Sequence, residues 1–309
     1  MQIREIPLHK ADQLTAFYNE EFAQVPFAFP LDSQAFLQGV RYHEDRDTPY
    51  QDLDGERLYS ASSEDEILAV AHVARWRSLS EEASNRISRT GIPSLPKTMG
   101  VLRFFHCRRD CADAGHAVLA TAEDYLQGMG LSQIRASGYY GYRFHRFCHG
   151  VFPDCLDYVL GLLRQRGYEI SYGKQLMHRT LTPPADFGPE RLALKQHPLP
   201  SRGTSSSWRF DAYLMGEKAG QTAVQPLDHF CPNPEARDHF YLNWFGIEEH
   251  LRGQGLGTDL LAQALANRIA AGFRHALLYV DQDNAIAQRL YRRAGFTPAG
   301  IDYMLYKPG

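Results

Sequence analysis

The chain contains 309 residues, of which 44% are apolar and 22% are charged, and its formal net charge is -3 at pH 7. This length and composition are typical of a soluble globular protein with two domains, and the lack of a long basic run argues against nucleic-acid or membrane-surface binding. No apolar stretch approaches the ~20 residues of a membrane span, and the odd number of cysteines, five, indicates reduced thiols and a cytoplasmic location.

The first half of the chain predicts a mixture of strands and helices. Residues 2–7 are predicted to form a strand, and the apolar spacing in Ala11–Phe22 indicates an amphipathic helix. Residues 33–41 are predicted as a second helix with Ser33 as its N-cap. Residues 57–63 and 66–75 are predicted to be paired strands, because a polar turn separates them. A strand at 100–105 and a helix at 113–129 follow.

The second half begins after a proline-rich stretch at 183–190, which is predicted to be a linker. Its apolar patterns predict a series of strands with only two helices. The predicted strands are 191–196, 207–215, 221–227, 240–245, 275–280 and 301–306, and the predicted helices are 258–271 and 284–295.

A glycine-rich turn joins the strand at 240–245 to the helix at 258–271. Gly253, Gly255 and Gly257 allow close approach of a ligand to the backbone, and Arg252 adds a permanent cation. The first amides of the helix lack intrahelical partners and lie at its positive end, so this turn predicts a pyrophosphate site. The glycine spacing is neither that of a dinucleotide-binding turn nor that of a P-loop.

The turn matches the pattern Arg-x-x-Gly-x-Gly. Downstream, residues 284–296 match Asn-x-x-Ala-x-x-Leu-Tyr-x-x-x-Gly-Phe at each fixed position. Together, in this order and with a strand between them, these two segments resemble the acetyl-CoA-binding motifs of the GNAT N-acetyltransferases. The resemblance covers about the last hundred residues.

An internal comparison extends the resemblance to a tandem-domain GNAT protein. A shift of 142 residues places Met129 on Ala271 and Phe105 on Ile247, and the strand–loop–helix–strand order recurs. In the first copy, however, Asp110 replaces the arginine of the loop and Asp113 replaces its central glycine. Carboxylates repel a pyrophosphate, and Leu163 occupies the position of Tyr291, so the first copy is predicted to be inactive.

The resemblance implies an α/β (α+β) fold of two GNAT-like domains. Each domain would be a mixed, mostly antiparallel sheet with flanking helices and a central pair of parallel strands. The expected organisation is a degenerate domain at 1–182, the linker at 183–190 and an acetyl-CoA-binding domain at 191–309. The second domain is expected to lack the two helices that usually follow its first strand.

The same resemblance implies roles for individual residues. Ile247 would lie where the central strands diverge, with its amide facing the thioester or pantetheine. Asn284 would bond the pantetheine arm, and Tyr291 would give a proton to the leaving thiolate, although the motif also fits a packed aromatic residue. The residues implied to hold the pyrophosphate are Arg252, Gly253, Gln254, Gly255, Leu256, Gly257 and Thr258.

The general base is less well determined by the sequence. Asp238, His239, Glu248 and Glu249 lie on or beside the central strand, and each can equally be a solvated group at a strand end. His239 is the first choice.

Two groups of histidine and cysteine residues raise the question of a metal. The members are His106, Cys107, Cys111 and His116 in one group and His145, Cys148, His149 and Cys155 in the other. Neither group has the paired Cys-x-x-Cys spacing of a structural zinc site, so no metal is predicted.

These observations predict an N-acetyltransferase that moves an acetyl group from acetyl-CoA, as cosubstrate, to a primary amine of a small molecule. The amine would attack directly in a ternary complex. The alternatives are a regulatory protein that binds CoA without catalysis and a transferase of a longer acyl group. No nucleic acid or membrane partner is expected, and a homodimer is left open.

Overall fold

The computed structural model describes residues 1–7, 10–41, 53–64, 66–77, 98–136, 141–147, 151–182, 190–201 and 203–309. The chain divides into two compact units. The first contains residues Met1–Gly173 and Ile301–Gly309, and the second contains Lys174–Gly300. Apart from Glu190, the linker predicted at 183–190 lies outside the described residues.

The first unit combines a sheet with four described helices. Its sheet runs in the order β1-β2-β3-β4-β5-β13, where β13 takes part through its C-terminal residues. Its elements are β1 (Gln2–Glu5), α1 (Ala11–Phe22), α2 (Ser33–Val40), β2 (Leu53–Ser63), β3 (Glu66–Arg77), β4 (Thr98–Cys107), α3 (Ala112–Gly128), β5 (Ile134–Ala136), β6 (Phe152–Pro153), α4 (Asp157–Gln165), the start of β7 (Glu169–Thr180) and the end of β13 (Thr297–Lys307).

The second unit is built around a sheet in the order β7-β12-β11-β10-β9-β8, where β7 takes part through residues 174–180. Its further elements are β8 (Ala193–Leu199), β9 (Ser207–Leu214), β10 (Glu217–Pro226), β11 (His239–Ile247), α5 (Leu256–Ala270), β12 (His275–Asp281) and α6 (Ala285–Arg293). Phe240 and Leu242 of β11 pack with Leu261 and Leu265 of α5 in its core. No helix lies among the described residues between β8 and β9.

The two units repeat one pattern, which confirms the predicted fold class. β4 and β5 form a parallel pair in the first unit, and β11 and β12 form a parallel pair in the second, whereas the other described ladders are antiparallel. Each parallel pair is joined by one helix, α3 or α5, as a parallel connection requires.

The domain limits found in the structure differ from those expected from the sequence. Residues 174–180 belong with the second unit because they pair along the whole length of β12. Residues 301–309 belong with the first unit, where β13 pairs with β5 and β6. The change from the first to the second compact unit after Gly173 thus precedes the expected linker in the chain.

One helix cap also differs from its prediction. Asp32, and not Ser33, is the N-cap of α2, and its carboxylate accepts a hydrogen bond from the backbone N–H of Ala35 at 2.8 Å. Aspartate and serine are both good N-cap residues, so the local sequence does not show which of these two neighbours begins the helix. The helix predicted at Ala11–Phe22 has the expected bounds.

Candidate active site

The parallel strands of the second unit separate before the glycine-rich turn. β11 and β12 are paired from His239 with His275 to Leu242 with Leu278, and the ladder ends there. Just beyond, Asn243 is an extra residue in β11, since Ala223 pairs with Trp244 and Val224 pairs with Leu242. The bulge reverses the alternation of side chains and bends the strand. Beyond it, the last residues of β11 are no longer paired with β12.

This bulge determines which side chains face α5. Phe245 packs against the same core as Phe240 and Leu242, which an uninterrupted strand would not allow. A Cβ added to Gly257, in the first turn of α5, would lie 3.8 Å from both Ile247 and Phe245. The diverging end of β11 is therefore held directly against the start of α5.

Two glycines of the turn adopt a backbone conformation that other residues rarely accept. Gly253 has φ +80° and Gly255 has φ +77°. Gly255 is the N-cap of α5, and because it has no side chain, no side-chain hydrogen bond closes the helix terminus. A side chain at Gly253 would meet no atom within 4 Å, so the space beside the turn is open.

Two arginines contact this turn. Arg252 is exposed, and its Nε donates a hydrogen bond to the carbonyl of Ile247 at 3.1 Å. Arg191, which the sequence analysis did not single out, donates from Nη1 to the carbonyl of Gln254 at 3.0 Å. Its backbone N–H also donates to the buried carboxylate of Asp259 at 2.8 Å. Arg191 and the turn are about sixty residues apart in the chain, so no local sequence pattern indicates their contact.

Tyr291 of α6 lies in the core of the second unit. Its ring packs edge-on against Phe245 and Phe296, with centroid distances of 6.0 and 5.9 Å. The residue is 6% exposed. Burial, assisted by the charge of Asp281, raises the pKa of the Tyr291 hydroxyl well above its usual value, so the hydroxyl keeps its proton at neutral pH.

Asn284 is the N-cap of α6. Its Oδ1 accepts a hydrogen bond from the backbone N–H of Ala287 at 3.1 Å. The side chain is exposed, and with Oδ1 occupied by the cap, Nδ2 is its group that can donate to a ligand. Asn284 therefore stabilises the start of α6, in addition to the ligand-binding role that the resemblance implies.

His239 does not join the other predicted site residues. It is the first residue of β11, whereas the glycine-rich turn follows the last residue of that strand. At ~3.3 Å per residue, the eight steps to Ile247 separate the two ends by about 26 Å. His239 instead stacks on His275 with a centroid distance of 4.3 Å. Burial and the neighbouring His275 lower its pKa, against the opposing effect of Asp238.

The first unit presents a different surface at the equivalent loop. Asp113 lies in the first turn of α3, and Gly115 serves close packing there, since an added Cβ would lie 2.6 Å from Leu162 and 3.0 Å from Cys107. Leu163, the counterpart of Tyr291, is fully buried. The start of α3 is therefore closely packed and carries the carboxylate of Asp113, unlike the open glycine turn before α5.

The histidines and cysteines that the sequence analysis grouped near residues 106 and 145 have other partners. His106 is bonded to Glu21 and Tyr158 at 3.0 and 3.1 Å, and His145 is bonded to the carbonyl of Val151 at 3.1 Å. Cys148 and His149 lie outside the described residues.

Comparison with known proteins finds a family model and relatives that match the second unit. Residues 174–296 match the model of the Acetyltransferase (GNAT) family. The mycothiol acetyltransferase of Cellulomonas flavigena is 31% identical over 133 residues, a match that spans 38% of this chain and only 38% of that relative. No helix in the described part of the chain has the length and apolar character needed to cross a membrane.

The whole chain is also similar to solved structures. A tandem GNAT protein from the clavulanic acid biosynthesis pathway superposes with a TM-score of 0.63 at 13% identity, covering 100% of this chain and 99% of the other. A GCN5-related N-acetyltransferase from Sphaerobacter thermophilus gives 0.61 at 16% identity, covering 100% and 96%. Such low identities establish the fold alone. The chain therefore has the tandem GNAT fold, and its residues 174–296 match the model of the GNAT acetyltransferase family.

Proposed function

We propose that the second unit transfers an acetyl group from acetyl-CoA to a primary amine of a small molecule, by direct attack in a ternary complex. The observation that carries this proposal is the end of the β11–β12 ladder at Leu242 and Leu278, immediately before a left-handed glycine turn and an uncapped helix start. This combination offers a gap between strands for a thioester arm and a cluster of amides for an anion.

The residues of the turn fit the pyrophosphate of CoA. The amides of Gln254, Gly255, Leu256, Gly257 and Thr258 would hold its oxygens, with Gly253 leaving room for it and Arg252 adding charge. Arg191 would steady the same turn through its hydrogen bond to the carbonyl of Gln254. Nδ2 of Asn284 would donate to the pantetheine arm.

Bound acetyl-CoA would supply a thioester carbonyl that an uncharged amine can attack. The backbone N–H of Ile247, at the diverging end of β11, would stabilise negative charge on the carbonyl oxygen. The Tyr291 hydroxyl would donate to the leaving sulfur. Its raised pKa makes complete transfer to a thiolate of pKa ~8.5 unfavourable, so its first role is a hydrogen bond to sulfur.

The acceptor would approach from the face of β11 opposite α5. Trp244 lies there next to the bulge and is 54% exposed, which is unusual for an indole. Beside it, Nδ2 of Asn243 donates to Oε1 of Gln225 at 2.8 Å. An apolar wall next to two amides suits a small polar molecule with an apolar portion. Glu248 and Glu249, at this end of the strand, would accept the amine proton through water.

Release of free thiol from acetyl-CoA in the presence of a panel of small amines tests the proposal. Turnover with at least one amine, together with heat of binding for CoA in calorimetry, is the expected result. If CoA binds but no amine or longer acyl-CoA gives turnover, the regulatory alternative holds. Absence of CoA binding would overturn the proposal altogether.

A further inference from the structure

Three imidazoles and one carboxylate gather at the end of the second unit's sheet that is remote from the glycine turn. The parallel register sets His239 of β11 beside His275 of β12. The antiparallel register sets His178 of β7 beside Leu277, which makes it a diagonal neighbour of His275 on the same face. Asp238 directly precedes β11. Three strands thus contribute to one cluster that no motif in the sequence describes.

The distances within the cluster are short. The Nε2 atom of His178 lies 3.1 Å from the Nδ1 atom of His275, and the ring of His275 stacks on His239 with an interplanar angle of 19°. The Nδ1 atom of His239 lies 2.6 Å from a carboxylate oxygen of Asp238. One donor atom from each of Asp238, His239 and His275 lies within 4.8 Å of the other two.

We propose that Asp238, His239 and His275 form a binding site for a divalent transition-metal ion of the zinc class. Imidazole nitrogen and carboxylate oxygen are the donors that such ions take in proteins. Ligand atoms around a four-coordinate zinc ion lie about 3.4 Å apart, given bonds of ~2.1 Å. The separations in the cluster, 2.6 Å between Asp238 and His239 and at most 4.8 Å for the other pairs, lie on either side of this value.

His178 has a positioning role in this site. When the Nδ1–H of His275 donates to Nε2 of His178, the Nε2 lone pair of His275 is the one left for the ion. A partner on the second ring nitrogen fixes the tautomer and orientation of a ligating histidine. The Asp238 side chain is 41% exposed and that of His239 is 13% exposed, so the ion can enter from solvent.

The site would have a structural role, separate from acetyl transfer. It lies about 26 Å along β11 from Ile247, at ~3.3 Å per residue. An ion held there would tie β11 and β12 together, and through His178 it would fix β7, at the end of the sheet where the parallel ladder begins.

Metal content of the full-length chain without an affinity tag tests this site. After removal of metals with a chelator, the protein is titrated with ZnCl₂ by calorimetry and with CoCl₂ by visible absorption. We expect one ion per chain, the d–d bands of tetrahedral cobalt and a higher unfolding temperature with zinc. We expect His275→Ala to abolish binding and His178→Gln to weaken it about 10- to 100-fold.

Two further variants complete the test. His116→Ala is the matched control, because His116 lies in the first unit with Gln165 as its partner, and its binding should equal that of the wild type. Asp238→Asn changes a partly exposed side chain and should bind more weakly while keeping the circular dichroism spectrum of the wild type. Binding below one ion per chain, or equal binding by wild type, His275→Ala and Asp238→Asn, would overturn the site.

Discussion

Tyr291 shows how one side chain can serve both packing and chemistry. A phenylalanine keeps its contacts with Phe245 and Phe296, so Tyr291→Phe isolates the hydroxyl. We expect a loss of about 10²–10⁴ in the rate of acetyl transfer, the usual effect of removing a general acid, with CoA affinity within about threefold of the wild type. Initial rates of thiol release and calorimetry measure the two effects. Tyr213→Phe, on β9, is the control, and equal rates for both variants would reduce Tyr291 to a packing residue.

His145 makes the stability of the first unit dependent on pH. Burial, assisted by the charge of Arg146, lowers its pKa to about 3. In the unfolded chain, His145 takes up a proton below its usual pKa of ~6.5. In the folded chain it does so only below about pH 3. The free energy of unfolding therefore decreases as the pH falls between these two values. From pH 7 to pH 5 this residue alone should cost about 2 kcal/mol.

Urea unfolding at the two pH values measures this effect. His145→Gln keeps a donor for the carbonyl of Val151 but cannot titrate, and it should lose stability less steeply with falling pH than the wild type. An identical pH dependence in both proteins would contradict the assignment.

At the scale of elements, the turn before α5 works because Gly255 permits its shape. In Gly255→Ala, the new Cβ would stand in the left-handed region and 3.1 Å from Arg191, at a cost of about 1–3 kcal/mol. Relaxation of the turn should displace its amides and weaken CoA binding at least tenfold. Gly128→Ala, at the end of α3, meets no atom within 4 Å and should bind CoA normally. Calorimetry compares them, and an unchanged dissociation constant for Gly255→Ala would refute the role of the turn.

The elements that sequence reasoning found best are those whose signals are local. Glycine spacing and apolar periodicity located the turn at 253–257 and the helix that follows it, because one short segment determines both. Contacts such as Arg191 with Gln254, or His178 with His275, join residues far apart in the chain. No local pattern encodes them, since strand register creates them. For the same reason His239 seemed close to the turn in sequence although a whole strand separates them.

On the scale of the whole molecule, the internal repeat was visible in the sequence but the division of the chain was not. Composition identifies the proline-rich stretch at 183–190. The chain, however, passes from the first compact unit to the second after Gly173 and returns to the first after Gly300. The reason is that β7 and β13 are each continuous strands with residues in both units. Composition does not encode strand pairing, and strand pairing decides which residues fold together.

This division makes a prediction about fragments. A fragment of residues 191–309 lacks residues 174–180, which pair with seven consecutive residues of β12. Removing them exposes one edge of a buried strand, and such edges promote aggregation. A fragment of residues 174–309 keeps this ladder, although the end of β13 loses its partners in β5 and β6. We expect the longer fragment to unfold cooperatively on heating and the shorter one to aggregate or show no transition, as followed by circular dichroism and light scattering. A cooperative transition of 191–309 at the same temperature would show that residues 174–180 are dispensable to the second unit.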